Sequence, residues 1–176
     1  PNHRPQMGSV RPNVFKKPER IADSWGRIQL EQFELKPEDI RTKRLEFIPF
    51  SKSGYNIQEA DIIVAGGRGM GSKENFDKLY ELADAIGGVV GATRPLVEKG
   101  WIELPYQVGQ TGKTVSPKLY LAFGISGAIQ HVSGISGADT IVAINNDPKA
   151  EIFQHANYGI VGDCMEVLND MLAHLK

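Results

Sequence analysis

The chain has 176 residues, 41% of them hydrophobic and 23% charged, with a formal net charge of -1. That is enough for one domain with its own core plus an appendage, and its near-neutral balance gives no general attraction to nucleic acid or anionic lipid. A single cysteine, Cys164, excludes an internal disulfide and a cysteine-rich metal site, and fits a cytoplasmic, reducing compartment. No apolar run approaches the roughly 20 residues of a membrane span, so direct membrane insertion is not expected.

The chain opens on Pro1 and reads from there as the interior of a longer protein. Residues 1–58 are rich in proline and carry short alternating runs, Arg27-Ile28-Gln29-Leu30-Glu31 and Leu45-Glu46-Phe47-Ile48. These predict short strands with too few apolar residues for a core of their own, hence a β-rich arm that ends a missing N-terminal domain.

From residue 59 to 176 the pattern changes to short apolar runs alternating with helical stretches. Five strands are expected, at Asp61 to Ala65, Gly88 to Gly91, Leu119 to Phe123, Thr140 to Ile144 and Tyr158 to Val161. Phe76, Leu79, Tyr80, Ala83 and Ile86 recur at helical spacing before Gly87, and Val167, Leu168, Met171, Leu172 and Leu175 mark a closing helix. The fold class is α/β: a parallel five-stranded Rossmann-like sheet with helices on both faces, preceded by the arm.

Ligands of such sheets bind beyond the carboxyl ends of the strands. The residues that fall there are Gly66 to Gly71 after the first strand and Thr93-Arg94 after the second. Gly124-Ile125-Ser126-Gly127-Ala128-Ile129-Gln130-His131 follows the third, Asn145 the fourth and Asp163 the fifth. The glycines would let backbone N–H groups approach an anion, the helix opening after Gly124 would add its positive end, and Arg68 would add a charged donor. Each residue alone has an ordinary reading as a turn former or helix cap.

Two familiar phosphate motifs fail. Gly67-Arg68-Gly69-Met70-Gly71 puts Ser72 where a dinucleotide fingerprint needs its third glycine. Gly112-Lys113-Thr114 lacks the leading glycine of a P-loop, since Gln107 stands there, and Val115-Ser116-Pro117 follows where a helix should begin. The polar, glycine-spaced stretch Gln107-Val108-Gly109-Gln110-Thr111-Gly112-Lys113 is left as a candidate functional loop.

Taken together, Val64-Ala65-Gly66-Gly67-Arg68-Gly69, Gly91-Ala92-Thr93-Arg94, the 107–113 loop, the 124–131 segment and Ile141-Val142-Ala143-Ile144-Asn145 closely resemble the alpha subunit of electron transfer flavoproteins, in order and in spacing. The likeness runs from Ala60 to the C-terminus, and Arg4-Pro5-Gln6-Met7 with Val10-Arg11-Pro12 resembles the segment that precedes its FAD-binding domain. The resemblance implies a deoxyhypusine-synthase-like NAD/FAD-binding fold. It also implies an FAD-holding electron carrier, not an enzyme, working with a beta subunit, dehydrogenase donors and a redox acceptor. By resemblance, Arg68 and Ser126 meet the pyrophosphate region, and Gly69, Gly124, Ile125, Gly127 and Ala128 also belong to the cofactor site. Gln130 meets the ribityl or ribose region, and Asn145 and Asp163 the adenosine end. Thr93 and Arg94 then sit by the flavin ring; Gln107, Gln110 and Thr111 line its N5 edge, with the Thr111 hydroxyl a partner for N5; His131 approaches the C2 carbonyl, and Val108 and Gly109 also belong to the cofactor site. Donors or cations there stabilise an anionic semiquinone.

Thr93 occupies a position that is often serine in that family, and the hydroxyl is retained. The rival readings are an NAD-binding dehydrogenase domain, which the absent fingerprint opposes, and an interaction module with a degenerate ligand site, which the complete loop set opposes.

Overall fold

The computed structural model describes residues 4–10, 19–22, 25–32, 34–46 and 56–175. Five parallel strands form one sheet in the order β2-β1-β3-β4-β5. They are β1 (Ile62–Gly66), β2 (Val89–Ala92), β3 (Leu119–Phe123), β4 (Thr140–Asn145) and β5 (Tyr158–Val161), all within a residue of the positions the apolar runs predict. Four helices are interleaved: α1 (Lys73–Ile86), α2 (Arg94–Glu98), α3 (Ile129–Val132) and α4 (Cys164–Leu175). α1 begins where Ser72 Oγ accepts from the Asn75 N–H at 3.2 Å. It stops where Gly87 takes left-handed backbone, φ 69°.

The strands sort their side chains by alternation. Val64, Val90, Leu121, Phe123 and Ile144 join Phe76, Leu79 and Leu82 of α1, Leu96 of α2 and Leu168 of α4 in one buried cluster. Ile63, Ala65, Tyr120, Ala122, Ile141 and Ala143 face the other way, onto Val108, Val115, Ile125, Val132, Ile135 and Ile152. The first face thus carries the long helices. The second is covered by a single turn of α3 and by loops with their own buried apolar residues. Those loops are therefore part of the core, and they are also the ones that build the site. Ile57, with 2% of its surface exposed, packs into the second cluster, so the folded unit starts slightly before residue 59.

No strand forms among the described arm residues. The run from Arg27 to Glu31 stays unpaired, with Ile28 and Leu30 exposed; Phe47 and Ile48 of the second run lie outside the described residues. A ladder needs a partner, and none pairs with the arm among the described residues.

The sheet order reverses between β1 and β3, which flank the topological switch point. There the turn after β1 lies directly on the turn after β3. The Gly67 N–H donates to Phe123 O at 2.8 Å, and the Gly69 N–H to Gly124 O at 2.9 Å. A side chain on Gly67 would come within 2.8 Å of the Ile125 Cα, and one on Gly69 within 2.6 Å of the Gly124 Cα. Gly124 itself has φ 61°, in the left-handed region. Backbone packed on backbone at this spacing leaves no room for a Cβ. Gly67→Ala is therefore expected to lower unfolding free energy by about 2 kcal/mol or more through overpacking, measured by urea denaturation. Gly71→Ala, at a turn where a Cβ meets nothing nearer than 3.9 Å, is expected to cost less, about 1 kcal/mol for its positive φ.

Candidate functional site

A cleft of about 290 Å³ opens at the switch point, on the carboxyl ends of β1 to β4. It gathers most of the rim residues picked out from sequence. Arg68 and Gly69 come from the first turn, and Thr93 and Arg94 from the second. Gly124, Ile125, Ser126, Ala128, Gln130 and His131 come from the third, and Asn145 from the fourth. Val108, Gly109 and Thr111 of the polar loop close one side. A larger apolar groove of about 1330 Å³ follows the β2 edge past Tyr80, Trp101 and Tyr106, and it contains none of these residues.

The donors of the cleft differ from those the glycine pattern suggests. The N–H groups of Gly67, Gly69 and Gly124 are already spent on Phe123 O, Gly124 O and Ile144 O, because each turn must cross onto the end of the neighbouring strand. They stitch the rim and are closed to an anion. The N–H groups of residues 125 to 130, by contrast, donate to no backbone carbonyl among the described residues. The helix expected to open after Gly124 begins only at Ile129 and lasts one turn, so these amides are presented by loop more than by helix. Arg68 stands at the mouth, exposed. Gly127 lies behind this loop, with φ 92°, and a Cβ there would run into the Ile152 backbone.

Asn145, 9% exposed, donates through Nδ2 to Ile125 O at 2.9 Å and accepts through Oδ1 from the Asp147 N–H at 2.9 Å. The Nδ2 end of its amide thus holds the loop that carries the free N–H groups, while the Oδ1 end closes the turn after β4. Asp163 is outside the cleft: its Oδ1 accepts from Met165 N at 2.7 Å and Glu166 N at 3.1 Å and caps α4.

On the opposite wall the polar loop is held in layers. Gln107 is buried, 4% exposed, and does not line the cleft. Its Nε2 donates to Thr111 Oγ1 at 2.9 Å. A hydroxyl that accepts from an amide keeps its own hydrogen for another partner, so Gln107 makes exposed Thr111 a donor. The side chain of Gln110 is likewise outside; its backbone N–H donates to Gln130 O at 2.7 Å. Arg94 reaches the cleft wall, but its Nε donates to Glu98 Oε1 at 2.7 Å, one turn along α2, where both side chains are more than half exposed. The carboxylate offsets part of the field that Arg94 alone would impose.

His131 departs furthest from expectation. Its Nδ1 lies 3.0 Å from Val108 O and its Nε2 3.0 Å from the Tyr120 hydroxyl. Both nitrogens are therefore engaged within the chain, and the ring is 7% exposed. Burial pushes its pKa from 6.5 down to about 4, against the opposing pull of the Val108 hydrogen bond. His131 lines the cleft as a neutral ring, not as a cation or a free donor. Tyr120, the partner of its Nε2, was read from sequence only as strand core. The available signal was that a buried tyrosine hydroxyl requires a partner.

The depressed His131 pKa has a signed consequence. The unfolded chain takes up this proton near pH 6.5, whereas the folded chain resists it until about pH 4. Over that window the unfolded state binds more protons, so stability is full above the window and is lost as pH falls through it. The loss attributable to this group is expected to reach about 3 kcal/mol at the acid end. Urea denaturation of wild type and His131→Asn at about pH 7 and about pH 4.5 checks it, and the variant should lack that part of the slope.

Residues 56–136 match the family model of the electron transfer flavoprotein FAD-binding domain. The chain is 54% identical to Protein FixB of Clostridium saccharobutylicum, over 100% of this chain and 52% of that protein. It is 51% identical to electron transfer flavoprotein subunit alpha of Thermoanaerobacterium thermosaccharolyticum, over 100% of this chain and 53% of that one. With the subunit alpha of Megasphaera elsdenii the identity is 52%, over 96% and 50%. The chain thus spans about half the length of the curated relatives it matches. With the glycine-stitched switch point and the polar loop facing each other across one cleft, residues 56–136 match the electron transfer flavoprotein FAD-binding domain, and the chain as a whole is similar to about half of an electron transfer flavoprotein alpha subunit or FixB protein.

Proposed function

We propose that the cleft holds FAD along the open rim of the sheet, and that the chain serves as the flavin-bearing part of an electron carrier. The observation that carries this reading is the convergence, in one cleft, of Ile125, Ser126, Ala128 and Gln130, whose N–H groups are uncommitted to any backbone carbonyl among the described residues, with a hydroxyl oriented as a donor at Thr111. The first set suits a pyrophosphate, with Arg68 adding charge at its mouth. The second suits a ring nitrogen that accepts a hydrogen bond. Bound FAD would supply the redox chemistry.

The chain's own residues bind and orient. Ser126 and Ala128 offer backbone donors, Asn145 keeps their loop in place, and Gln130 stands beside them at the ribityl or ribose region. Thr93 and Arg94 face the ring from the end of β2, and Val108, Gly109 and Thr111 from the polar loop. At about 290 Å³ the cleft is at the small end of ligand sites, so it grips an extended ligand along one side. Further contacts would come from outside this chain. A carrier, not a catalyst of bond making, fits a site whose only lining imidazole among the described residues is neutral and doubly bonded.

The name "subunit alpha" printed for two of the relatives supports a beta subunit as partner, with dehydrogenase donors and a redox acceptor beyond it. Among the described residues no helix is long and apolar enough to cross a membrane; a cytoplasmic setting is part of this reading and rests on the one unpaired cysteine. The arm before residue 56 would end another domain. Trp25, Ile28, Leu30 and Leu45 are each close to nine-tenths exposed or more and have nothing here to pack on.

FAD is expected to bind at least about tenfold more tightly than FMN, which lacks the pyrophosphate. Flavin fluorescence titration decides this, and equal affinities would sink the extended pose. Thr111→Val keeps the shape and removes the donor, and is expected to weaken FAD by about 1 kcal/mol, roughly fivefold. Arg94→Ala should lower the one-electron potential of the bound flavin by about 30 mV or less, because Glu98 already offsets the charge. An unchanged or raised potential in spectroelectrochemical titration would remove Arg94 from the ring's electrostatics.

A further inference from the structure

Tyr120 is the second residue of β3, fully buried, with its hydroxyl on His131 Nε2 at 3.0 Å. The same imidazole meets Val108 O with Nδ1 at 3.0 Å. A carbonyl oxygen can only accept, so the ring hydrogen is on Nδ1. In a neutral imidazole Nε2 is then bare, and the phenol must donate to it. We propose that Tyr120 is a positioning residue for the ligand cleft: its hydroxyl fixes His131 as the Nδ1–H tautomer, and that tautomer bolts Val108, with the loop it begins, to α3.

The loop depends on this bolt. Val108 N–H donates back to Ala92 O at 2.9 Å, which ties the loop to the end of β2. On the α3 side the fastenings are the His131 bond to Val108 O and the Gln110 N–H to Gln130 O. Gly109, at φ 136°, rests so close to α3 that a Cβ would come within 2.7 Å of Gln130 O. Thr111, whose hydroxyl faces the cleft, hangs from these points. Were the hydrogen to move to Nε2, Val108 O would lose its donor and two acceptors would face each other across the Nδ1 contact. The phenol prevents this, because the Nε2–H form would leave the phenol without an acceptor in a fully buried position. Burial of the ring, which also disfavours its protonation, removes the cationic escape. The proposal rests on reading the cleft as the FAD site for its effect on binding, but its structural core does not.

The test uses the full chain. In ligand-free protein at neutral pH, isotope-edited NMR of the imidazole nitrogens should show the hydrogen on Nδ1 of His131 and a bare Nε2. Tyr120→Phe should bring in the Nε2–H form, speed amide exchange of Gly109 and Gln110 by about tenfold, and raise the Kd for FAD about five- to tenfold. In His131→Asn, whose side-chain amide takes the place of the Nδ1–H donor, adding Tyr120→Phe should change the Kd by less than about twofold. The hydrogen on Nε2 in wild type overturns the proposal even if no variant folds. So does Tyr120→Phe with unchanged tautomer and exchange, or an equal loss of affinity with and without His131. Failure of wild type to take up FAD sinks the ligand assignment alone, and the tautomer and exchange measurements still decide the role of Tyr120.

Discussion

The contact between the backbones of Gly67, Gly69 and Gly124 is the constraint on which the site rests. Two loops that leave neighbouring strands at the switch point would normally diverge, with side chains between them. Here they touch: the turn after β1 donates to Phe123 O and Gly124 O at the end of β3, and Gly124 donates in turn to Ile144 O of β4. That closeness consumes the N–H groups a glycine-rich turn usually offers to a phosphate. The segment after Gly124 then runs as loop before α3 starts, its N–H groups donate to no backbone carbonyl among the described residues, and Ile125, Ser126, Ala128 and Gln130 of it line the cleft. The anion-binding character of the rim is thus displaced from the glycines themselves to the residues that follow them.

Strands β1 to β4 were readable because burial leaves a plain signature, short apolar runs of roughly five residues bounded by Gly, Asn or Asp; β5 keeps such a run although its residues are exposed. The helix ends at Ser72 and Gly87 were readable for the same local reason. The site was legible as a set of residues and not as a set of roles. Composition at a strand end says that a polar group is present; it does not say which neighbour it serves. Asp163 and Asn145 stand at equivalent ends of adjacent strands, yet one caps a helix and the other clamps a loop. Gln107 and Thr111, four residues apart, split into a buried orienter and an exposed donor only because Val108 is folded inward against Ala92. The arm shows the opposite failure: alternation is a necessary condition for a strand, and pairing is a tertiary event that the alternating residues cannot supply by themselves.

A division of labour emerges from these roles. Groups that would touch a ligand are backbone amides, one hydroxyl and two arginines at the rim. Behind them sits a second set, Asn145, Gln107, His131 and Tyr120, each either nearly or fully buried and each hydrogen-bonded within the chain. No buried side-chain nitrogen or oxygen among the described residues lacks a partner. A buried polar network of this kind is worth having only when complete, since one missing partner leaves an orphan that costs more than the bond it made. Completeness also gives rigidity, and rigidity is what places Thr111 and the 125–130 amides at a fixed separation.

Such a site suits electron transfer for a reason that lies in what it lacks as well as in what it holds. Moving an electron onto a bound ring changes the charge the surroundings must bear, and surroundings that reorganise little make that change cheap in both directions. Fixed amides and a locked hydroxyl meet that need. A titrating imidazole at the ring would not, because its charge would vary with pH and with the state of the ring. Burial removes that freedom from His131 and keeps it neutral across the ordinary range of pH, the phenol and the Val108 carbonyl hold the neutral ring in one orientation, and Arg94 beside it is tied to Glu98.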